Sequence, residues 1–288
     1  MMRTNSPPPR RLAQLLIDTP GVPAHLVVTD LTVSSGEVRP GGAFLACAGR
    51  TTHGLAHVPE AIERGACAIL WEPVPGLHVP DFPSQIFALP VPQLRAQLGV
   101  IADRFFAAPS ASLTLAGITG TNGKTTTAWL TAQALGACGR RASYSGTLGF
   151  GFPGDLHRTS HTTPDAVSVH RQLAALRDAG TDSVAMEVSS HALDQGRVSG
   201  VRFHTAVFTN LTRDHLDYHG TMAAYGAAKA ALLDWPTLAV RVINIDDPFG
   251  AGLAQRHGGT AARLATVSRH GQASVRATAT RAAPRGIE

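Results

Sequence analysis

Apolar residues in this chain come in short runs, and the runs change character near residue 113. Before it, LVV (26–28) and AFLACAG (43–49) flank the polar SSGEVRPGG, and the Pro40-Gly41-Gly42 turn predicts strand–turn–strand. HVPEAIERGACAILWE (57–72) spaces its apolar positions helically as far as Gly65 and then turns continuous. That pattern predicts an amphipathic helix followed by a buried strand. VPQLRAQLGVIADRFF (91–106) predicts a second helix, Arg10 to Leu16 a shorter one, and AAPSAS (107–112) a linker.

From residue 113 the pattern is strand, glycine loop, helix: LTLAGIT, then GTNGK, then TTTAWLTAQALGACG ended by glycine. Further strands are predicted at 183–189, 204–209 and 239–246, with helices at 165–179 and 221–233. Alternating strands and helices imply an α/β protein with a mostly parallel sheet covered on both faces. The division falls into residues 1–108 and 109–288. The closing SVRATATRAAPRGIE reads as a strand, a turn and the start of another strand.

Composition narrows the class. The 288 residues are 44% hydrophobic and 16% charged, as in globular proteins rather than disordered ones. No apolar run approaches the roughly 20 residues that span a bilayer, and MMRTNSPPPRRLAQLLIDTP lacks the apolar core of a signal peptide. Cys47, Cys67 and Cys138 match no metal spacing and read as reduced thiols of a cytoplasmic protein. The net charge of +5 resides in residues 248–288, whose six arginines face one acid, Glu288. Without aromatic interleaving this tail is a solvated face, and no nucleic-acid partner is expected. Of 25 basic residues only Lys124 and Lys229 are lysines, so each marks a place where a compact or modifiable amine is wanted.

Lys124 closes the segment Gly117-Ile118-Thr119-Gly120-Thr121-Asn122-Gly123-Lys124-Thr125-Thr126. Glycines let backbone N–H groups curl around phosphate oxygens, and the following helix offers its positive end. Lys124 would reach the β/γ-phosphates and the Thr125 hydroxyl would ligate Mg²⁺. The generic G-x-x-x-x-G-K-[ST] pattern is not met, because Ile118 occupies the place of its first glycine.

GITGTNGKTTT resembles the nucleotide loop of the Mur ligase family and its relatives, the folylpolyglutamate and cyanophycin synthetases, and implies ATP-dependent amide formation. Three later segments resemble the branch that adds the third residue of the muramoyl peptide. His161-Thr162-Thr163-Pro164-Asp165 reads by itself as a helix start; the resemblance gives Thr162 and Thr163 the muramoyl substrate. In Met186-Glu187-Val188-Ser189-Ser190-His191-Ala192-Leu193-Asp194-Gln195-Gly196-Arg197, Glu187 ends an apolar strand, where a carboxylate suits Mg²⁺. The resemblance makes Ser189, Gln195 and Arg197 substrate contacts. In Thr209-Asn210-Leu211-Thr212-Arg213-Asp214-His215, it makes His215 a ligand of a second Mg²⁺. Lys229, four residues after Tyr225 on one helix face, corresponds to a lysine that CO₂ converts to an anionic carbamate metal ligand. Asn244-Ile245-Asp246-Asp247-Pro248 resembles an adenosine contact through Asn244 and Asp247, or is a plain turn after a strand.

Upstream, VSSGEVRPGGAFLACAG resembles the family's uridine-binding signature, with Ser35, Val38, Gly41, Phe44, Ala46 and Gly49 in register. Ser34 and Gly36 replace an aspartate and an arginine, and Arg50-Thr51-Thr52 departs from the usual residues; Ser35 stays a candidate UDP contact. The resemblance therefore implies a small N-terminal α/β uridine-binding domain and a P-loop-type, mostly parallel-sheet ATP-binding domain. The latter would be truncated, with the C-terminal Rossmann-like domain absent. The implied reaction joins an amino acid, meso-diaminopimelate, to UDP-N-acetylmuramoyl-L-alanyl-D-glutamate through an acyl phosphate, using ATP, two Mg²⁺ ions and the lysine carbamate. Catalytic roles fall to Lys124, Glu187, His215 and Lys229; metal ligation falls to Thr125, Glu187, His215 and Lys229. The protein would be a cytoplasmic monomer. The alternatives are a fragment that binds nucleotide or UDP-sugar without turnover, or another amide ligase of the superfamily.

Overall fold

Residues 7–287, apart from 18, 50–51, 160, 280–281 and 284–285, are described by a computed structural model. Packing separates two units. One comprises the chain up to Ser112 together with Pro164–Gly180 and Gly196–Val201; the other comprises Leu113–Thr163, Thr181–Gln195 and the chain from Arg202.

In the first unit β1 (Arg10–Arg11) leads into α1 (Leu12–Leu15) and pairs antiparallel with β2 (Val27–Val28). β3 (Leu31–Thr32) and β4 (Ala43–Ala46) are followed by α2 (Val58–Glu63), β5 (Ala68–Trp71), β6 (Phe87–Pro90) and α3 (Leu94–Phe105). These four strands form a parallel sheet in chain order. The Pro40-Gly41-Gly42 turn therefore does not close a hairpin: β3 and β4 run the same way, and a 3-10 turn at Ser35–Glu37 begins the return.

Side chains alternate across this sheet with the period of two that a pleated strand imposes. Ala43, Leu45, Ala68 and Leu70 join a core with α1 and α3, whereas Phe44, Ala46 and Ile69 join a second core with Val58 and Ala61 of α2. On α3, Leu94, Leu98, Ile101 and Phe105 are buried at helical spacing. Burial of each such side chain is worth about 1.5–3 kcal/mol.

The second unit opens with β7 (Thr114–Thr119), α4 (Lys124–Ala137), β8 (Ala142–Gly146), β9 (Gly149–Phe152) and β10 (Asp155–His157). α5 (Ala166–Asp178) packs in the first unit, where Ala166, Val167 and Ala174 enter the α1–α3 core. Its Arg171 binds the buried Asp30 carboxylate at 2.8 Å and the Leu31 carbonyl. The second unit resumes with β11 (Ser183–Glu187), α6 (Ser190–Asp194), β12 (Thr205–Phe208), α7 (Leu216–His219), α8 (Met222–Ala230), β13 (Val240–Asn244), α9 (Pro248–His257), β14 (Arg263–Ser268) and β15 (Val275–Arg276).

Among the described residues nine strands pair in the order β10-β9-β8-β11-β7-β12-β13-β14-β15, parallel except at β9 and β10. β11 is buried along its whole length, as expected of a central parallel strand. The connection after β7 leads to one side, toward β8, and that after β11 to the other, toward β12. Their shared carboxyl end is thus a topological switch point, where open α/β sheets bind ligands. A separate antiparallel pair, β16 (Ala282–Ala283) and β17 (Gly286–Ile287), ends the described chain.

The segment 107–112 is not a loose linker. Ala107 and Ala108 take left-handed backbone, a 3-10 turn follows at Pro109–Ser112, and Pro109 and Ser110 are buried. The Arg177 guanidinium holds it through the Phe106 and Ala107 carbonyls, at 3.0 and 3.3 Å. The three cysteines are free thiols. Among the described residues no helix is long and apolar enough to cross a membrane.

Candidate active site

The glycine loop leaves β7 at Thr119 and enters α4 at Lys124. Gly120 has φ +146, and a Cβ there would lie 1.8 Å from the Thr209 hydroxyl; Gly123, at φ +83, caps α4. Glycine alone fits at Gly120, and the left-handed backbone at Gly123 favours it. Gly117 has a different use. It lies inside β7 beside Met186 and Ala206, and a Cβ on it would meet the Phe203 ring at 2.9 Å. It is a packing glycine of the strand, three residues short of the loop.

The segment after β12 braces the loop. Thr121 N–H donates to the Asn210 carbonyl (2.8 Å), Asn122 N–H to Asn210 Oδ1 (2.9 Å), and the Thr209 hydroxyl to the Asn122 carbonyl (2.7 Å). Thr212 N–H donates to the Thr121 hydroxyl, which also meets the Tyr225 hydroxyl at 3.2 Å. Asn244 and Asp247 support this brace: the Asn244 amide donates to the Thr209 carbonyl (2.8 Å), and Asp247 accepts from Leu211 N–H (2.9 Å) while capping α9. Both side chains are engaged with protein backbone.

Both lysines point into the loop. Lys124 Nζ donates to the Gly120 and Thr121 carbonyls, at 2.9 Å each. Burial lowers its pKa, opposed by Glu187 and Asp214. Lys229, only 1% exposed, donates to the same Gly120 carbonyl at 2.7 Å and lies 4.3 Å over the Tyr225 ring. Burial first, and repulsion from Lys124 second, bring its pKa down to about 7, against a smaller pull from Asp214.

Across the loop, Glu187 is 1% exposed at the end of β11. Its Oε2 accepts from the Thr125 hydroxyl at 2.8 Å. Its Oε1 accepts from the Tyr144 hydroxyl and from Thr147 N–H at 2.9 Å. Tyr144's own pKa is held well above the ordinary phenol value, by burial first and by this carboxylate second. A carboxylate oxygen and a hydroxyl facing each other beside a phosphate-type loop are the hard oxygen donors that Mg²⁺ takes, with phosphate oxygens and water completing its shell. The residues present fit that ion.

Thr162 shares a hydrogen bond with Thr147 at 2.9 Å; Thr163 is buried, donating to the Glu187 carbonyl (3.0 Å) and accepting from Ser189 N–H (3.2 Å). Ser189 caps α6 through Ala192 N–H, and Gln195 donates to the Tyr218 hydroxyl at 3.0 Å. His215 has left-handed backbone (φ +51) and sets its ring against His191 and Tyr225, with centroids 4.8 and 6.1 Å away. Lys124, Thr125, Glu187 and Lys229 are thus gathered around one loop, and His215 lies edge-on to Tyr225, whose hydroxyl meets the loop at Thr121. Thr126 is exposed on α4.

Arg197 and Ser35 belong to the first unit. There the Ser35 hydroxyl donates to Glu60 at 2.6 Å, which lowers the Glu60 pKa with help from Arg64. Arg50 and Thr51 lie outside the described residues. Sequence reading does not single out Tyr144, Thr147 or the Asn210 side chain. ASYSG carries no apolar run, and Asn210 sits inside a motif read only for its histidine.

The description "Mur ligase middle domain" matches residues 118–288. The UDP-N-acetylmuramoyl-L-alanyl-D-glutamate–2,6-diaminopimelate ligase of Ectopseudomonas mendocina is 51% identical over 248 residues, 86% of this chain and 50% of that protein. Its namesake from Xanthomonas oryzae pv. oryzae is 49% identical over 278 residues, 96% of this chain and 55% of its own length. A solved structure of a ligase with that name superposes with a TM-score of 0.80 at 26% identity, covering 96% of this chain and 56% of its own. The chain spans about half the length of the curated relatives it matches.

Proposed function

Because the chain belongs to the Mur ligase family, we propose that it serves ATP-dependent amide formation in peptidoglycan synthesis, joining meso-diaminopimelate to UDP-N-acetylmuramoyl-L-alanyl-D-glutamate. The names of its relatives support these substrates. Residues 1–108 take the uridine end, with Ser35 as a contact, and residues 109–288 take ATP. Thr162, Thr163, Ser189, Gln195 and Arg197 serve the muramoyl dipeptide. The enzyme works as a cytoplasmic monomer.

In this reading the D-glutamyl carboxylate attacks the γ-phosphorus of ATP, releasing ADP and forming an acyl phosphate. The amine of the diamino acid then attacks the acyl carbon and expels phosphate. Thr119 to Thr126 cradle the triphosphate, and Lys124 exchanges its two loop carbonyls for phosphate oxygens. Asn244 and Asp247 keep the brace behind the loop in place beside the nucleotide. Catalysis is positioning plus charge neutralisation. Bound Mg²⁺ supplies much of that neutralisation. Thr125 and Glu187 would hold one ion, and His215 and the carbamate of Lys229 would hold the second.

Lys229 is the residue that most favours this chemistry. An arginine-rich chain places a lysine, fully buried, 2.7 Å from the loop it would serve. With its pKa near 7 a large share of the amine is neutral at physiological pH, and the neutral amine is the form that attacks CO₂. The N–C bond forms as one C=O π bond opens, and a proton leaves the nitrogen. The product is an anion in place of a cation.

The test is phosphate release with ATP, UDP-N-acetylmuramoyl-L-alanyl-D-glutamate and meso-diaminopimelate. Release that requires all three, and that Lys229→Arg abolishes, supports the proposal. Release indifferent to the muramoyl dipeptide contradicts it, and nucleotide binding without turnover leaves only the binding reading.

A further inference from the structure

Glu187 has two carboxylate oxygens, and the hairpin of β8 and β9 treats them differently. Oε1 receives the Tyr144 hydroxyl and Thr147 N–H. The Tyr144 hydroxyl accepts from Leu148 N–H at 3.2 Å, so its single proton is free to go to Glu187. Oε2 faces the Thr125 hydroxyl at 2.8 Å, with the Thr147 hydroxyl more distant at 3.4 Å. Gly146 makes room for this arrangement: a Cβ there would fall 2.2 Å from Oε1 and 2.6 Å from the Tyr144 hydroxyl. Gly146 and Gly149 pair across the turn, which places Thr147 N–H beside the carboxylate.

We propose that this hairpin is a carboxylate clamp, with Tyr144 as its positioning residue: it ties Oε1 to protein and leaves Oε2 as the oxygen offered to the cation. The inference rests on the reading of Glu187 as a metal ligand. Tyr144 does not touch the ion; it fixes the rotamer of the residue that does. Groups that orient a ligand in this way typically contribute 10- to 100-fold in metal affinity. Tyr144 is also a core side chain, fully buried and edge-on to Trp129 with centroids 5.5 Å apart. Tyr144→Phe keeps that packing and removes only the hydroxyl.

The experiment is a Mn²⁺ titration in the presence of a β,γ-methylene ATP analogue, read from the electron paramagnetic resonance of free Mn²⁺. Wild type, Tyr144→Phe, Gly146→Ala and Glu187→Gln are compared, with thermal melts and metal-free analogue binding alongside. The clamp predicts that Tyr144→Phe weakens Mn²⁺ about 10- to 100-fold while metal-free analogue affinity holds. In turnover, the Mg²⁺ midpoint moves by the same factor and kcat recovers at saturating Mg²⁺. Wild-type Mn²⁺ affinity in Tyr144→Phe, with loss in Glu187→Gln, overturns the clamp alone. Unchanged affinity in Glu187→Gln overturns the metal reading and the clamp with it. If Tyr144→Phe fails to fold, Gly146→Ala decides, since its methyl displaces Oε1: weakened Mn²⁺ binding supports the clamp, and wild-type binding refutes it.

Discussion

Replacing Lys229 by Met should stabilise the folded protein while destroying its proposed activity. Met matches the lysine stem in length and needs no solvation. In the fold the Lys229 amine has a pKa of about 7, against 10.5 for the free side chain. Between those values the unfolded chain holds a proton that the folded chain has lost, so unfolding free energy rises with pH. The slope is about 1.4 kcal/mol per pH unit, and the whole shift amounts to about 5 kcal/mol borne by the fold at and below pH 7. Met removes that cost. It also removes the bond to the Gly120 carbonyl, about 1–1.5 kcal/mol, and the contact with the Tyr225 ring, about 0.5–1 kcal/mol. The carbonyl itself keeps Lys124 as a donor. A net gain of about 3 kcal/mol at pH 7 follows. Urea unfolding at pH 7, 8 and 9 in CO₂-purged buffer measures it. The advantage of Lys229→Met should shrink steadily as pH rises, and bicarbonate should stabilise wild type alone, as a ligand of the native state does. A variant less stable than wild type at pH 7, or a gap that does not change with pH, refutes the reasoning.

Gly120→Ala forces a methyl group into the Thr209 hydroxyl at an unfavourable φ; about 2–4 kcal/mol of stability and most nucleotide affinity should be lost in unfolding and binding titrations. Arg171→Met leaves the buried Asp30 carboxylate with the Leu31 N–H at 2.8 Å and, as its one cation among the described residues, Arg39 at 3.7 Å, and chemical denaturation should register a loss of about 3 kcal/mol. Asp165 caps α5 through Ser168 N–H at 3.0 Å, so Asp165→Ala should cost about 1 kcal/mol in the same assay.

Much of the fold was legible because local pattern and tertiary role coincide. LTLAGIT is apolar because β7 is central, and the glycines that follow it serve a backbone that few other residues can adopt. The helices at 57–65 and 91–106 announce their buried faces at helical spacing. Elements whose burial comes from neighbours were not legible. ASYSG of β8 holds small and polar residues, and it is a strand because β11 and β9 flank it. α9 did carry a signal, Asp247 before Pro248, a helix cap followed by its favoured first residue. That signal competes with the reading of the same residues as a turn. The packing of α5 with the first unit depends on a distant partner, Asp30, that no local spacing reveals. At the site, the residues in direct line with the loop were readable from their types, whereas Tyr144 and Thr147 act through Glu187 and have no motif of their own, and Asn210 bonds the loop directly from a motif read for its histidine.

Conversion of Lys229 to a carbamate beside the loop is what the proposed chemistry requires. Carbon-13 NMR of the protein in ¹³C-bicarbonate tests this most directly. A bound carbamate resonance should appear, vanish in Lys229→Arg, and shift when Mg²⁺ and the ATP analogue are added. A spectrum identical in wild type and Lys229→Arg would contradict it.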